Sequence, residues 1–81
     1  MKIYLISQTA NNDYDTYDSA VVYAPDEETA RNTHPYDGKQ ISWVTPDYAW
    51  CKSPDQVGVR YIGEAPEGVE AGLICASFNA G

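Results

Sequence analysis

Ile3-Tyr4-Leu5-Ile6 and Ala20-Val21-Val22-Tyr23 bracket a polar segment, Asn11-Asn12-Asp13-Tyr14-Asp15-Thr16-Tyr17-Asp18-Ser19. This stretch decides the fold. Two apolar runs of β-forming residues joined by a hairpin-like polar connection predict neighbouring antiparallel strands. The first strand is expected from Lys2 to about Gln8. Ile3 and Leu5 then point one way, and Tyr4 and Ile6 the other. Both sides are apolar, which predicts a central strand covered on two faces. The second strand is expected from about Ser19 to Ala24.

Beyond these strands, Pro25-Asp26-Glu27-Glu28-Thr29-Ala30-Arg31-Asn32 reads as a short helix. Asp26 suits the N-cap, and the acids behind it sit at the positive end of the helix dipole. Glu27 and Arg31 are four apart in the favourable order. His34-Pro35 ends the helix, because a residue before proline avoids the α region. Tyr36-Asp37-Gly38-Lys39 predicts a turn. Gln40-Ile41-Ser42-Trp43-Val44-Thr45 predicts a third strand stopped by Pro46, and an irregular loop with room for one helical turn follows to Gln56.

Val57-Gly58-Val59-Arg60-Tyr61-Ile62 alternates in period two, Gly63 to Gly68 turns the chain, and Gly72-Leu73-Ile74-Cys75-Ala76-Ser77-Phe78 returns. These segments predict a hairpin. The expected order is β-β-α-β-β-β in one domain spanning residues 1–81. The fold class is α+β: a mainly antiparallel sheet of four or five strands with one short helix packed on one face.

Composition narrows the function. The chain has 81 residues, twelve acids against five bases and a formal charge of −7, so a direct grip on nucleic-acid phosphates is not expected. An acidic surface suits a basic protein partner, or simply solubility. No apolar run is long enough to span a membrane, and Ser7-Gln8 interrupts the first run too early for a signal-peptide core, so a cytoplasmic location is expected. Cys51 and Cys75 lack C-x-x-C spacing, and in a reducing compartment they read as two small apolar side chains. So small a core favours a homo-oligomer.

No residue set specifies a reaction. His34 is the only histidine, and no serine or cysteine near it in sequence completes a nucleophile–histidine–carboxylate set. Asp13, Asp15 and Asp18 lack the glycine and the distal glutamate of a calcium loop, so Asx turns are their expected work. Neither a metal nor a cofactor is expected. Small-molecule binding has better material. Tyr14, Tyr17, Trp43 and Trp50 offer flat faces for stacking a base, and Asp15 and Asp18 can accept hydrogen bonds from ribose hydroxyls. Arg31 and Arg60 are the obvious phosphate partners. His34 and the terminal Asn79 complete the candidate ligand-binding set. The competing expectation makes Trp43 and one tyrosine core residues, because aromatics dominate small cores. Strand completion is the competing role for the C-terminus.

Four strings form a further pattern: Asp15-Thr16-Tyr17-Asp18-Ser19-Ala20-Val21-Val22, Ala30-Arg31 with His34-Pro35, Tyr61-Ile62-Gly63-Glu64-Ala65, and the terminal Ser77-Phe78-Asn79-Ala80-Gly81. Together they resemble a group of small proteins encoded by tailed bacteriophages, over most of the chain. The stretch from His34-Pro35 to Trp43 is shorter here than in that group. The resemblance implies a phage accessory protein acting in an infected bacterium, and it brings no catalytic residues. The leading expectation is a non-catalytic counter-defence protein that sequesters a small nucleotide-derived immune signal. The alternatives are an acidic inhibitor covering a nucleic-acid-binding surface of a host defence complex, and a phage structural or interaction module.

Overall fold

Four strands and one short helix make the fold, in the order β1 (Lys2–Ser7), β2 (Thr16–Ala24), α1 (Glu27–Arg31), β3 (Gly58–Glu64) and β4 (Gly72–Asn79). The computed structural model describes residues 1–45 and 48–80. All pairings are antiparallel, and the strand order across the sheet is β3-β1-β2-β4. The α+β class, the antiparallel sheet and the single short helix are as the sequence predicts, with four strands.

β1 and β2 hold the centre because they are the most apolar segments and gain most from two neighbours. Their register sets Tyr4 opposite Val22 and Ile6 opposite Ala20. These four residues are buried with Ala24, Ala30, Trp50, Cys51 and Val57 in one core cluster. The helix and residues 41–45 and 48–57 supply the cover for this face, through Ala30, Ile41, Trp43, Trp50, Cys51 and Val57. Ala30 is fully buried, so α1 lies close to the sheet. Asp26 caps it by accepting the Thr29 N–H at 2.7 Å, and Arg31 pairs with Glu27 at 3.3 Å one turn away. Hydrogen bonds from Thr29, its side chain first and its backbone N–H second, hold the Asp26 carboxyl below its ordinary pKa.

Two expectations fail. The hairpin between the last two strands does not exist: β3 pairs with β1 and β4 with β2, on opposite edges of the sheet. Residues 65–71 instead cross the end of the sheet where β1 begins, with Ala65 donating its N–H to the Met1 carbonyl at 3.1 Å. The central positions were already taken by the more apolar pair, so the shortness of the connection did not make its ends neighbours. Gln40–Thr45 does not form a strand either. Gln40 makes one isolated bridge to Thr33, Ile41 donates to the Asn32 carbonyl at 2.6 Å, and the Trp43 indole donates to Asn32 Oδ1 at 2.6 Å. The segment is occupied in closing the end of α1. The stop expected at Pro46 lies outside the described residues. The expected helical turn is a single 3-10 turn over Pro54–Gln56. Cys51 is buried and Cys75 exposed, and the two are not joined in a disulfide.

Candidate functional site

The Asn11–Ser19 segment is not a loose loop. Its organiser is Gln8, which is buried at the end of β1. Gln8 Nε2 donates to the carbonyls of Asn11 and Tyr17, both at 2.8 Å, and its Oε1 accepts the Asn11 N–H at 2.8 Å. Asn11 in turn donates through Nδ2 to the carbonyls of Tyr48 and Trp50, at 2.9 and 3.1 Å. The Tyr17 N–H reaches the Ala49 carbonyl at 2.8 Å. The buried Gln8 amide thus holds in place the two residues, Asn11 and Tyr17, that tie the first connection to residues 48–50.

Asp13 makes an Asx-type contact, its N–H donating to Asn11 Oδ1 at 3.4 Å, and its carbonyl accepts the Thr16 hydroxyl at 2.6 Å. Asp15 has a positive φ of 61°. Aspartate tolerates that conformation better than most residues. Its N–H donates to the Asn79 carbonyl at 2.6 Å, and Asn79 Nδ2 donates to the Asp13 carbonyl at 3.4 Å. The end of β4 therefore clamps the tip of the acidic turn, and Asn79 works as a strand terminus.

Between this turn and residues 41–56 lie two adjoining hollows. One, of about 370 Å³, is walled by Ile41, Trp43, Val44, Tyr48 and Cys51, with Lys52 at its side. The other, of about 550 Å³, is the more polar of the two and is bordered by Asn11, Asp13, Tyr14, Tyr48, Lys52 and Gln56. Tyr48 and Lys52 belong to both. Tyr48 is 84% exposed and Tyr14 is 76% exposed, so their ring faces are free to receive a partner. The Gln56 carboxamide steadies the wall by accepting the Lys52 N–H at 3.0 Å. Volumes of about 300–1,000 Å³ with an apolar wall and a few polar groups are those of small-molecule sites.

The sequence-predicted residues divide. Tyr14 lines the polar hollow, and Trp43 lines the apolar one. Trp50 is 1% exposed and packs in the core. A ligand cannot stack on it, and its indole Nε1 is buried with no hydrogen-bond partner among the described residues. Tyr17 and Asp18 belong to β2: the Tyr17 ring packs on Phe78 at 4.7 Å, and Asp18 accepts the Ser19 hydroxyl at 3.2 Å beside a bulge in the β2–β4 register. Arg31 is on α1 with Glu27, and Arg60 lies across from Leu5 on the edge strand β3. Neither arginine lines the two hollows. His34 Nδ1 accepts the Tyr36 N–H at 3.0 Å, and the ring borders a separate hollow with Asp37 and Lys39. Sequence reasoning missed Tyr48, Lys52, Gln56 and the organising Gln8. The one available signal was the pair of exposed-type residues Tyr48 and Lys52 flanking Trp50 in a loop rich in proline.

Chemically, the arrangement can stack a planar ring, exchange hydrogen bonds and balance a negative charge. Cys51 and Thr45 are nucleophile-type side chains of the apolar hollow; the Cys51 thiol is buried and donates to the Ser53 carbonyl at 3.6 Å. No histidine lines either hollow. Among the described residues, no three His, Cys, Asp or Glu side chains are grouped to hold a metal ion, and no helix is long and apolar enough to cross a membrane. Comparison with protein-family models, curated proteins and solved structures gives no match.

Proposed function

We propose that this chain is a non-catalytic binding protein that captures a small nucleotide-type ligand in the cleft between the acidic turn and residues 41–56. The observation that carries the reading is the meeting of an apolar, aromatic hollow and a polar hollow at Tyr48 and Lys52. The ring of the ligand lies against Trp43 and Tyr48. Its sugar hydroxyls face Asn11, Asp13 and Gln56, and Lys52 meets its phosphate. One lysine beside Asp13, in a chain of charge −7, suits a ligand of low charge better than a triphosphate. The resemblance to tailed-phage proteins supports a setting in the cytoplasm of an infected bacterium. There, sequestration of a nucleotide-derived immune signal fits a site built of stacking faces and hydrogen-bonding side chains.

The test is a thermal-shift panel of cyclic nucleotides and ADP-ribose-type compounds, with recovery of the ligand by chromatography. At a hundredfold excess over Kd, binding adds about 2.7 kcal/mol. For a domain of this size that raises the midpoint by about 10–20 °C. Tyr48→Ala and Lys52→Ala each weaken binding tenfold or more while leaving the unliganded midpoint in place, and Arg31→Ala leaves ligand affinity unchanged. A panel with no shift, or a ligand recovered chemically altered, refutes the proposal.

A second reading has one observation in its favour. Asp13, Asp15 and Asp18 are all exposed on one hydrogen-bonded turn and its adjoining strand end. This suits an acidic inhibitor that occludes a basic, nucleic-acid-binding surface of a host defence complex. Such a complex would weaken steeply with added salt.

A further inference from the structure

The sheet has a second face, and among the described residues no core residue covers it. Register places Ile3 opposite Tyr23, Leu5 opposite Val21, and Val21 opposite Cys75, so these residues share one side of the sheet. Ile62, 53% exposed, joins Leu5 in a shallow hollow on the same side. None of these residues belongs to the core cluster or packs against it. An antiparallel sheet can leave one face to water, but that face is then polar. Here it is aliphatic and aromatic along both central strands, as expected of strands covered on two sides. Apolar surface that is contiguous and uncovered marks an interaction site.

We infer that a second copy of this chain covers the Ile3–Leu5–Val21–Tyr23 face, sheet against sheet, to form a two-fold dimer. Charge selects the occupant. The chain carries twelve acids and a net charge of −7, yet the paired positions around Ile3, Leu5, Val21, Tyr23 and Cys75 include Arg60 as their charged residue, and the Asp18 carboxylate lies away from them, at the bulge near the start of β2. A basic partner drawn by the acidic surface would find nothing to grip here. A flat apolar partner is required, and the same face of another copy provides it with no like-charge penalty at its centre. Arg60 lies on edge strand β3, where its long stem can cover apolar surface while its head reaches water at the rim.

Area agrees. Four strands about 4.8 Å apart and about six residues long make a face of about 20 by 20 Å. With the relief of its side chains that is on the order of 500–600 Å² per copy, just above the ~1,000 Å² total that separates a specific interface from a packing contact. The expected dimer is therefore reversible.

Sedimentation velocity under reducing conditions, from low to high micromolar protein, tests this. The wild type should pass from 8.9 kDa to twice that mass, and its melting midpoint should rise with concentration. Ile62→Asp and Cys75→Asp place a carboxylate at exposed positions near two borders of the face, and should each weaken the dimer at least tenfold with an unchanged far-UV circular dichroism spectrum. A wild type that stays monomeric with a concentration-independent midpoint overturns the inference. So does a dimer that survives Ile62→Asp, because edge-to-edge pairing through β4 on the far side of the sheet would not feel that change. Cys75→Asp, at the opposite border of the face, supplies the same test where Ile62→Asp fails to fold.

Discussion

Replacing Gly38 by alanine puts a number on how the walls of the cleft are held. Gly38 sits in the turn after α1 with φ of +75°, and its N–H donates to the His34 carbonyl at 2.9 Å. A Cβ there would lie 2.6 Å from the Leu73 amide nitrogen and 3.2 Å from the Gly72 Cα. Both contacts are backbone at the start of β4, which is paired to β2 and cannot swing aside. Two penalties combine. Left-handed backbone costs an L-residue about 1–2 kcal/mol. Overpacking against fixed atoms adds about 1–3 kcal/mol. Lower entropy of the unfolded alanine chain opposes them by ~0.4–1 kcal/mol. A net loss of about 2–4 kcal/mol is a large share of the ~4–12 kcal/mol available to a chain of this length.

At about 4–8 °C per kcal/mol, the melting midpoint should fall by about 10–25 °C. Gly68→Ala is the matched control. Its φ is +84°, but a Cβ there meets nothing within 4 Å. Only the backbone penalty applies, so its midpoint should fall by less than half as much. Urea titration gives the same ranking with an unchanged slope if the denatured states are alike. Equal losses for the two variants would refute the close approach of this turn to β4. Because the turn leads directly into Ile41 and Trp43, that result would also withdraw support from the apolar wall of the cleft.

Two further outcomes follow from the hydrogen-bond geometry. Gln8→Leu keeps a side chain of similar size but strands the Asn11 N–H and two carbonyls, and at ~1–3 kcal/mol for a buried group left unpaired the expected loss is about 2–5 kcal/mol in urea unfolding; a loss below about 1 kcal/mol would mean that water satisfies the turn. The Asp26 carboxyl is held below its ordinary pKa by Thr29, so its contribution is present above the unfolded value near 3.8 and disappears as pH falls through the lower folded value. Asp26→Asn retains the cap without the titration, and stability below about pH 4 should fall less steeply than in the wild type, read as midpoint against pH.

The parts legible in the sequence are those fixed by local chemistry. Alternation of Tyr4 and Ile6 with Ile3 and Leu5 gives β1, and Asp26 with the Glu27–Arg31 spacing gives α1 to within a residue or two. The positions of β3 and β4 were not legible, because strand order reflects competition for the centre of the sheet and not the length of a connection. The same limit applies to the cleft. Guanidinium chemistry nominated Arg31 and Arg60, which are sound phosphate ligands in isolation. The cation that borders the same hollow as Tyr14 is Lys52, in a segment held there by the hydrogen bonds from Asn11 to the carbonyls of Tyr48 and Trp50. No periodicity or composition encodes a contact between residues 37 and 39 positions apart.

One consequence joins the cleft to the uncovered sheet face. The nine buried apolar residues of the core include two alanines from β2 and one from α1, so the core is thin where the helix crosses. Burying the opposite face in a dimer would stabilise β1 and β2 from the other side; Gln8 directly follows β1 and Thr16 opens β2, and these two buried polar residues frame the acidic turn. Association and ligand capture are then coupled through the rigidity of one turn. The coupling has a defined sign: whatever holds β1 against β2 should tighten the ligand, and by linkage the ligand should tighten the dimer by the same factor. Equal ligand affinity for the wild-type dimer and for a folded monomeric Ile62→Asp protein would show that the two faces of the sheet act independently.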